Sequence, residues 1–187
     1  MKEDIDNAVK VLREGGVILY PTDTIWGIGC DATNQHAVER IYEIKERSDE
    51  KSMIILVDTE NRIPSYVSTM PEVAWDLVEV SEKPLTVIYP GAKNLAENLI
   101  APDRSIGIRV TRDSFCIKLI SRLKKPIVST SANISGEKPP ANFHEINALI
   151  MNKVDYVVKY RQDDVSRSSP SGIIKLGTGG EVKIIRE

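Results

Sequence analysis

Two short polar motifs, each beside an apolar segment, contain the residue types best suited to chemistry in this sequence. Lys45-Glu46-Arg47 closes a predicted helix, and Ser131-Ala132-Asn133 follows a predicted strand. Arginine offers a planar fork of hydrogen-bond donors and lysine a compact positive charge, whereas serine and asparagine add short donors of fixed reach. This combination is suited to binding a polyphosphate. Neither triplet is specific by itself, because both spacings also arise by chance.

Each motif also has a purely structural interpretation. Basic residues are common at the C-terminal end of a helix because they complement its dipole, so Lys45 and Arg47 could be solvated helix-end charges. Ser129, Ser131 and Asn133 alternate with a period of two, which places them on one side of the sheet, near the strand ends where α/β proteins collect ligands. The alternative there is a hydroxyl-rich turn that satisfies its own backbone.

A lone arginine and a pair of threonines are further candidates. Arg109 interrupts the apolar strand predicted over 106–110, where its charge is costly unless it is paired. It should therefore face a cavity or a carboxylate, either as a clamp on a bound anion or as a buried ion pair. Thr22 and Thr24 lie two apart in an extended loop, so their hydroxyls share a face, and one of them should cap the backbone.

Apolar spacing predicts the elements that position these residues. A period of 3.6 predicts helices, the first of them capped by Asp4, and short apolar runs predict strands. The predicted helices cover 5–12, 37–44, 71–80, 115–123 and 143–151, and the predicted strands cover 17–20, 53–57, 85–89, 106–110, 127–130 and 156–158. Segments 173–176 and 182–185 flank a glycine-rich turn and predict a hairpin. The alternation of the two types predicts a mixed α/β fold.

Length and composition limit the classes of function. The chain has 187 residues, which predicts one domain, with 25 basic and 27 acidic side chains and a net charge of −2. This balance gives no global attraction to nucleic acid or to an anionic membrane, and no apolar run approaches the roughly 18 residues of a membrane span. Cys30 and Cys116 are isolated, and 2 histidines are too few for a multi-histidine metal site, so we expect no metal held by the protein. A cytoplasmic location fits these features best.

The motifs and their order along the chain resemble the YrdC-like family, the threonylcarbamoyl-adenylate synthases of tRNA modification. The matching segments are the loop 21–29, the K-x-R motif with Lys51 after it, Pro84-Leu85-Thr86, Gly107-Ile108-Arg109-Val110, Thr130 to Gly136, Ser171-Gly172-Ile173-Ile174 and Arg186. Together they span nearly the whole chain. The resemblance implies a YrdC-like fold over residues 1–187, a single-domain twisted mixed α/β sheet flanked by helices with a central cationic cavity.

The same resemblance implies a nucleotidyltransferase that forms L-threonylcarbamoyl-AMP from L-threonine, bicarbonate and ATP, with Mg²⁺ accompanying the ATP. It implies hand-off of this product to tRNA-modifying partner proteins that build threonylcarbamoyl-adenosine next to the anticodon. Weak RNA binding by the chain itself is a further hypothesis. The implied catalytic residues are Lys45, Arg47, Ser131 and Asn133. The implied threonine and bicarbonate contacts are Thr24, Arg109, Ser129 and Ser171. The implied nucleotide contacts are Lys45, Arg47, Lys51, Ser105, Ser131, Asn133 and Arg186.

Some features leave alternatives open. Ser48 and Ser52 stand where relatives usually carry proline, and Leu56 stands where some carry a substrate-contacting histidine, which we interpret as variation in packing around retained cations. The polar segment 161–171 is either a solvated connector or a flap that closes over substrate. An RNA-binding module and a catalytically inert paralogue are the other functional hypotheses. Retention of both the K-x-R and the S-A-N residues favours the enzyme.

Overall fold

The computed structural model describes residues 1–46 and 53–187. The α-helices in these ranges are α1 (Lys2–Arg13), α2 (Gln35–Ile44), α3 (Glu72–Val80), α4 (Ser114–Leu123) and α5 (Ala148–Lys153). The strands are β1 (Ile18–Tyr20), β2 (Gly27–Gly29), β3 (Ile54–Val57), β4 (Leu85–Tyr89), β5 (Ile106–Val110), β6 (Ile127–Ser131), β7 (Tyr156–Val157), β8 (Gly172–Leu176) and β9 (Val182–Arg186). None of the helices in these ranges is long and apolar enough to cross a lipid bilayer.

The strands of the described ranges join into one mixed sheet with the order β7-β1-β2-β6-β3-β5-β4-β8-β9. The pairs β1–β7, β3–β5 and β4–β8 are parallel, and the other neighbours are antiparallel. Strands β8 and β9 form the predicted hairpin, and β9 lies at one edge of the described sheet. The prediction of a mixed α/β fold is confirmed.

The apolar faces predicted from the 3.6 spacing are the faces that the helices bury. Helix α1 buries Ile5, Ala8, Val9 and Leu12, and α4 buries Phe115, Leu119, Ile120 and Leu123. Strands β4, β5 and β6 carry buried polar side chains among apolar ones, namely Thr86, Arg109 and Ser129. Since burial of polar groups is costly without partners, these strands mark the part of the sheet that holds the site.

Asp4 does not cap the first helix, contrary to the sequence-based prediction. Helix α1 begins at Lys2, with Met1 at its N-cap position, and no side chain caps it. Asp4 lies in the first turn, where its Oδ1 accepts hydrogen bonds from the Tyr156 hydroxyl at 2.7 Å and from the backbone N–H of Lys159 at 2.9 Å. The carboxylate therefore links α1 to the segment around β7. A tertiary contact has replaced the local cap.

The helix predicted over 143–151 is also wrong in detail, because two short helices occupy the region. A 3₁₀ turn covers Phe143–Glu145 and α5 begins at Ala148. Asn142 accepts a hydrogen bond from the N–H of His144, and Asn147 accepts one from the N–H of Leu149. Each asparagine starts its own helix, since an asparagine side chain satisfies free N–H groups at a helix N-terminus. The apolar spacing alone did not reveal this second start.

Strand β2 lies inside the segment that the sequence analysis treated as a loop. Its two glycines, Gly27 and Gly29, hid it, because glycine is uncommon in strands. A Cβ atom on Gly29 would overlap the carbonyl oxygen of Val128 and would lie 2.7 Å from the ring of Tyr20. Glycine is therefore required here by the close approach of the neighbouring strand. This narrow packing holds β2 between β1 and β6, directly beside the cavity described below.

We expect Gly29→Ala to lower the free energy of unfolding by about 1–3 kcal/mol, because the added methyl group overpacks the strand contact. Urea denaturation monitored by circular dichroism measures the change. Gly172→Ala is the matched control, since a Cβ atom there meets its nearest neighbours at an ordinary 3.6 Å. Equal stability of the two variants would show that the sheet relaxes around the new methyl group without cost.

Candidate active site

A cavity of about 190 Å³ opens on one face of the central strands. Six polar residues predicted from the sequence line it: Thr24, Arg109, Ser129, Ser131, Ser171 and Arg186. They come from the loop before β2, from strands β5, β6 and β9, and from the residue that precedes β8. The fold thus brings together residues that are widely separated along the chain.

A second cavity of about 390 Å³ adjoins the first, and both are lined by Ile54, Thr86 and Ile173. Ser105 lines this second cavity and donates its hydroxyl proton to Asp103 Oδ1 at 2.5 Å. Lys175 Nζ lies 2.6 Å from the other carboxylate oxygen. The Lys175 ammonium and then the Ser105 hydroxyl lower the pKa of Asp103 to about 2. Ser105 is therefore held by a carboxylate that stays ionised at neutral pH.

A buried ion pair lies at the wall of the first cavity. Arg109 Nη2 is 3.2 Å from Asp23 Oδ1, and the two side chains are only 4% and 11% exposed. The sequence had left a buried ion pair and a clamp on a bound anion as alternatives for Arg109. The structure shows the ion pair and also places Arg109 on the cavity wall, while its role as a clamp stays a prediction. Arg109 Nε has no hydrogen-bond partner among the described residues. A buried donor without a partner costs free energy, so this nitrogen is an exception to the usual pairing of buried polar groups.

Arg186 brings a second guanidinium to the same cavity. Its Nε donates to the backbone carbonyl of Ser171 at 2.8 Å, which ties β9 to the start of β8. Burial, followed by the charge of Arg109, lowers the pKa of Arg186 below its ordinary value, although an arginine remains charged. Arg109 and Arg186 are both positively charged, and Asp23, the ion-pair partner of Arg109, is negatively charged. The three side chains together therefore carry a net positive charge. This charge favours an anionic ligand.

The loop before β2 places one threonine in the cavity and uses the other to hold the loop. Thr22 Oγ1 accepts a hydrogen bond from the N–H of Thr24 at 3.0 Å and donates to the carbonyl of Ile25 at 2.8 Å. The Thr24 hydroxyl lies 3.0 Å from Thr22 Oγ1 and lines the cavity. The prediction that one threonine caps the backbone is confirmed, with Thr22 in that role.

Lys45 and Asn133 support the cavity through its backbone. Lys45 Nζ donates to the carbonyl oxygens of Ser131 at 2.6 Å and of Asn133 at 2.7 Å, and the lysine is buried. The Asn133 amide donates to the carbonyls of Ile134 and Glu137, which fixes the turn after β6. Asn133 Oδ1 is buried without a hydrogen-bond partner in the described part of the chain. The two predicted motifs therefore meet, with the lysine of one bound to the backbone of the other.

Several predicted residues are not placed by the structure. Arg47 and Lys51, together with the variant positions Ser48 and Ser52, lie outside the described residues. Leu56 is described: it is fully buried in β3 and pairs in register with Arg109 of β5. It is therefore a packing neighbour of the arginine.

Aromatic and loop residues lie around the first cavity. Trp26 lines the cavity and packs against Phe143 with ring centroids 4.8 Å apart, so the tryptophan serves both as wall and as core. Arg161, at one end of the polar segment 161–171, donates to the carbonyl of Thr22 and pairs with Asp113 at 3.0 Å. At the other end, Pro170 and Ser171 line the cavity. Movement of this segment as a flap stays a prediction.

Thr86 and Asp23 are site residues whose roles were not predicted from the sequence. The Thr86 and Ser171 hydroxyls are 2.8 Å apart, and Thr86 lines both cavities. The Pro84-Leu85-Thr86 motif was the available signal for it. Asp23 lies between the two threonines of the loop, and the rule that a buried arginine needs a partner required such an acid without naming it. Among the described residues, no group of three or more His, Cys, Asp or Glu side chains could hold a metal ion.

Known proteins share both the sequence pattern and the fold. The threonylcarbamoyl-AMP synthase of Pseudoalteromonas translucida is 33% identical over 178 residues, which cover 94% of each chain. E. coli YciO has a TM-score of 0.86 and 26% identity, over 100% of this chain and 90% of that one. P. abyssi Sua5 complexed with L-threonine has a TM-score of 0.82 and 26% identity, over 92% of this chain, which spans 50% of the Sua5 chain.

A family model described as "Sua5_yciO_yrdC: Telomere recombination" matches residues 10–187. The match takes in the loop before β2, the strands that line both cavities and the arginine of β9. The chain belongs to the Sua5/YciO/YrdC family.

Proposed function

We propose that this protein forms L-threonylcarbamoyl-AMP from L-threonine, bicarbonate and ATP, with release of pyrophosphate and water, for the modification of tRNA next to the anticodon. The observation that carries the proposal is that one cavity is lined by hydroxyl groups and by two arginines, Arg109 and Arg186. Two kinds of relative support it: the P. translucida relative bears the name threonylcarbamoyl-AMP synthase, and P. abyssi Sua5 was solved with L-threonine.

The first cavity fits the amino acid and the bicarbonate-derived group. Arg109 and Arg186 provide positive charge for carboxylate groups, since a guanidinium binds a carboxylate through two parallel hydrogen bonds. The hydroxyls of Thr24, Ser129 and Ser171 lie around the same space and can orient the amine and the carboxyl group. We assign the threonine and bicarbonate subsite to this cavity.

The second cavity fits the nucleoside of ATP. It joins the first through their common wall, and it presents the Ser105 hydroxyl, held by Asp103. The phosphates would then lie between the two cavities, near Ser131, Asn133 and the arginine of β9. Lys45, Arg47 and Lys51 complete the proposed phosphate site. We propose that Mg²⁺ enters bound to the phosphates of ATP, as part of the substrate.

In the proposed reaction, the main role of the protein is to position its substrates. The amine of threonine forms a bond to the carbon of bicarbonate with loss of water, and the resulting carbamate oxygen attacks the α-phosphorus while pyrophosphate leaves. Both steps bring together polar groups that react when they are held in line and when developing negative charge is stabilised. The cations supply that charge stabilisation. We further propose that the adenylate passes to partner proteins that transfer the threonylcarbamoyl group to tRNA.

Pyrophosphate release from ATP should require L-threonine and bicarbonate together. L-serine should be the poorer substrate, because the loss of one methyl group from an apolar subpocket costs about 1–3 kcal/mol of binding. A coupled pyrophosphate assay with each substrate omitted in turn, and mass spectrometry of the product, test this. Absence of turnover with all three substrates would favour an inert paralogue. Equal turnover with every amino acid would exclude a dedicated threonine site.

A further inference from the structure

Thr22 occupies every hydrogen-bonding position of its side chain within the loop. Its hydroxyl oxygen contacts the carbonyl of Ile25 at 2.8 Å, the N–H of Thr24 at 3.0 Å and the hydroxyl of Thr24 at 3.0 Å. The residue is buried, with 5% of its surface exposed. A hydroxyl has one proton to donate and two lone pairs with which to accept. These three contacts use all of them.

The direction of each hydrogen bond follows from the chemistry of its partner. A carbonyl oxygen can only accept, so the proton of Thr22 goes to Ile25. A backbone N–H can only donate, so one lone pair of Thr22 receives the Thr24 N–H. The remaining lone pair must then receive the proton of the Thr24 hydroxyl. Because its proton is donated to Thr22, the Thr24 hydroxyl can accept a hydrogen bond from a ligand in the cavity that it lines, but it cannot donate one.

From this arrangement we infer that Thr22 is a positioning residue that makes Thr24 an obligate hydrogen-bond acceptor, so that the amino-acid substrate must place a donor group, its amino group or its side-chain hydroxyl, against Thr24. The inference rests on the proposed function and deepens it, because it names the polarity that the threonine subsite recognises. A hydroxyl free to rotate would accept from one kind of group and donate to another. Thr22 removes that freedom.

Thr22→Val tests the inference because it keeps the shape of the side chain and removes the oxygen. The Thr24 hydroxyl would then be free to rotate, and we expect the KM for L-threonine to rise about tenfold or more, with kcat and the KM for ATP changed far less. A tenfold rise is comparable to the net free energy of one hydrogen bond, which is the expected scale when the Thr24 hydroxyl must be ordered again for each substrate molecule that binds. Thr22→Ser keeps the oxygen and should restore most of the affinity.

Thr33→Val is the matched control for loss of a loop hydroxyl, because the Thr33 hydroxyl bonds Asp31 and lies outside both cavities. Its KM for threonine should stay at the wild-type value. O-methyl-L-threonine identifies the donor. If the donor is the side-chain hydroxyl, the wild-type preference for threonine over this analogue will collapse in Thr22→Val. If the donor is the amino group, the preference will persist while both KM values rise.

The wild-type protein is assayed first, so that two failures can be told apart. Absence of threonine-dependent turnover by the wild type would overturn the proposed function and this inference with it. Normal wild-type turnover with an unchanged threonine KM in a folded Thr22→Val would overturn this inference alone. Equal loss of affinity in Thr22→Ser and Thr22→Val would also overturn it, because the effect would then follow packing and not the hydroxyl oxygen.

Discussion

Asp23→Ala will lower the free energy of unfolding by about 3–5 kcal/mol, because it leaves the guanidinium of Arg109 buried without its partner. The two side chains are 4% and 11% exposed, so the unpaired guanidinium would be hydrated far less completely than a surface arginine. The positive charge of Arg186 interacts with that of Arg109. This repulsion raises the free-energy cost of burying the Arg109 guanidinium without its carboxylate. Urea denaturation of the wild type and the variant measures the change. The slopes of unfolding free energy against urea concentration are compared between the two proteins.

A double-mutant cycle identifies the cause of that loss. Arg109→Met alone leaves Asp23 buried and unpaired, and it should also destabilise the fold. The double variant removes both charges, so it should be more stable than Asp23→Ala, with a clear coupling energy between the two sites. It should still lack threonine-dependent turnover, because the proposed carboxylate clamp is gone. Strictly additive losses would show that the pair at 3.2 Å contributes nothing to stability.

Lys45→Met will reduce pyrophosphate release about a hundredfold or more, the size of effect seen when one preorganised charge-stabilising donor is removed. In the structure, the ammonium of Lys45 donates to the carbonyls of Ser131 and Asn133. Its loss removes a cation from the proposed phosphate site and also leaves two buried carbonyl groups without their donor. The segment that carries the serine and the asparagine would then lose its fixed shape.

Lys153→Met is the control for loss of a lysine charge, because Lys153 forms an exposed ion pair with Glu46. Exposed pairs contribute little, so this variant should keep the turnover and the melting temperature of the wild type. Circular dichroism and thermal melting establish whether Lys45→Met is folded before its rate is interpreted. A folded Lys45→Met with wild-type turnover would remove Lys45 from the proposed machinery.

The sequence predicted most elements because their signals are local. Apolar spacing in α1 and α4, and short apolar runs in β3, β4 and β5, each depend on a few neighbouring residues. Strand β2 escaped prediction because glycine is a weak strand signal, and because Gly29 is required by the backbone of β6, a distant strand that no local pattern records. The cap predicted at Asp4 was wrong for the same reason, since a partner near β7 decides the position of that carboxylate.

In the candidate site too, some residues could be predicted from local sequence and others could not. Arg109 could be singled out because a charge in an apolar strand is rare, and Arg186 and Ser171 because they match motifs. The partner of Arg109 could not be named, because several acids were available and only tertiary packing brings Asp23 to it. The direction of the hydrogen bonds between Thr22 and Thr24 also depends on a third group, the carbonyl of Ile25. Such geometry has no signature in residue type or spacing.

The position of Arg186 on the edge strand β9 has a consequence for biosynthesis. Chains emerge from the ribosome N-terminal end first, and the strands that carry Arg109 and Ser129 can each pair with β3 before β9 has been made. The cavity wall that Arg186 supplies, and its hold on the Ser171 carbonyl, can form only after residue 186 has left the exit tunnel. A nascent chain would therefore possess most of the sheet without the cavity wall that Arg186 supplies, until β9 has paired with β8.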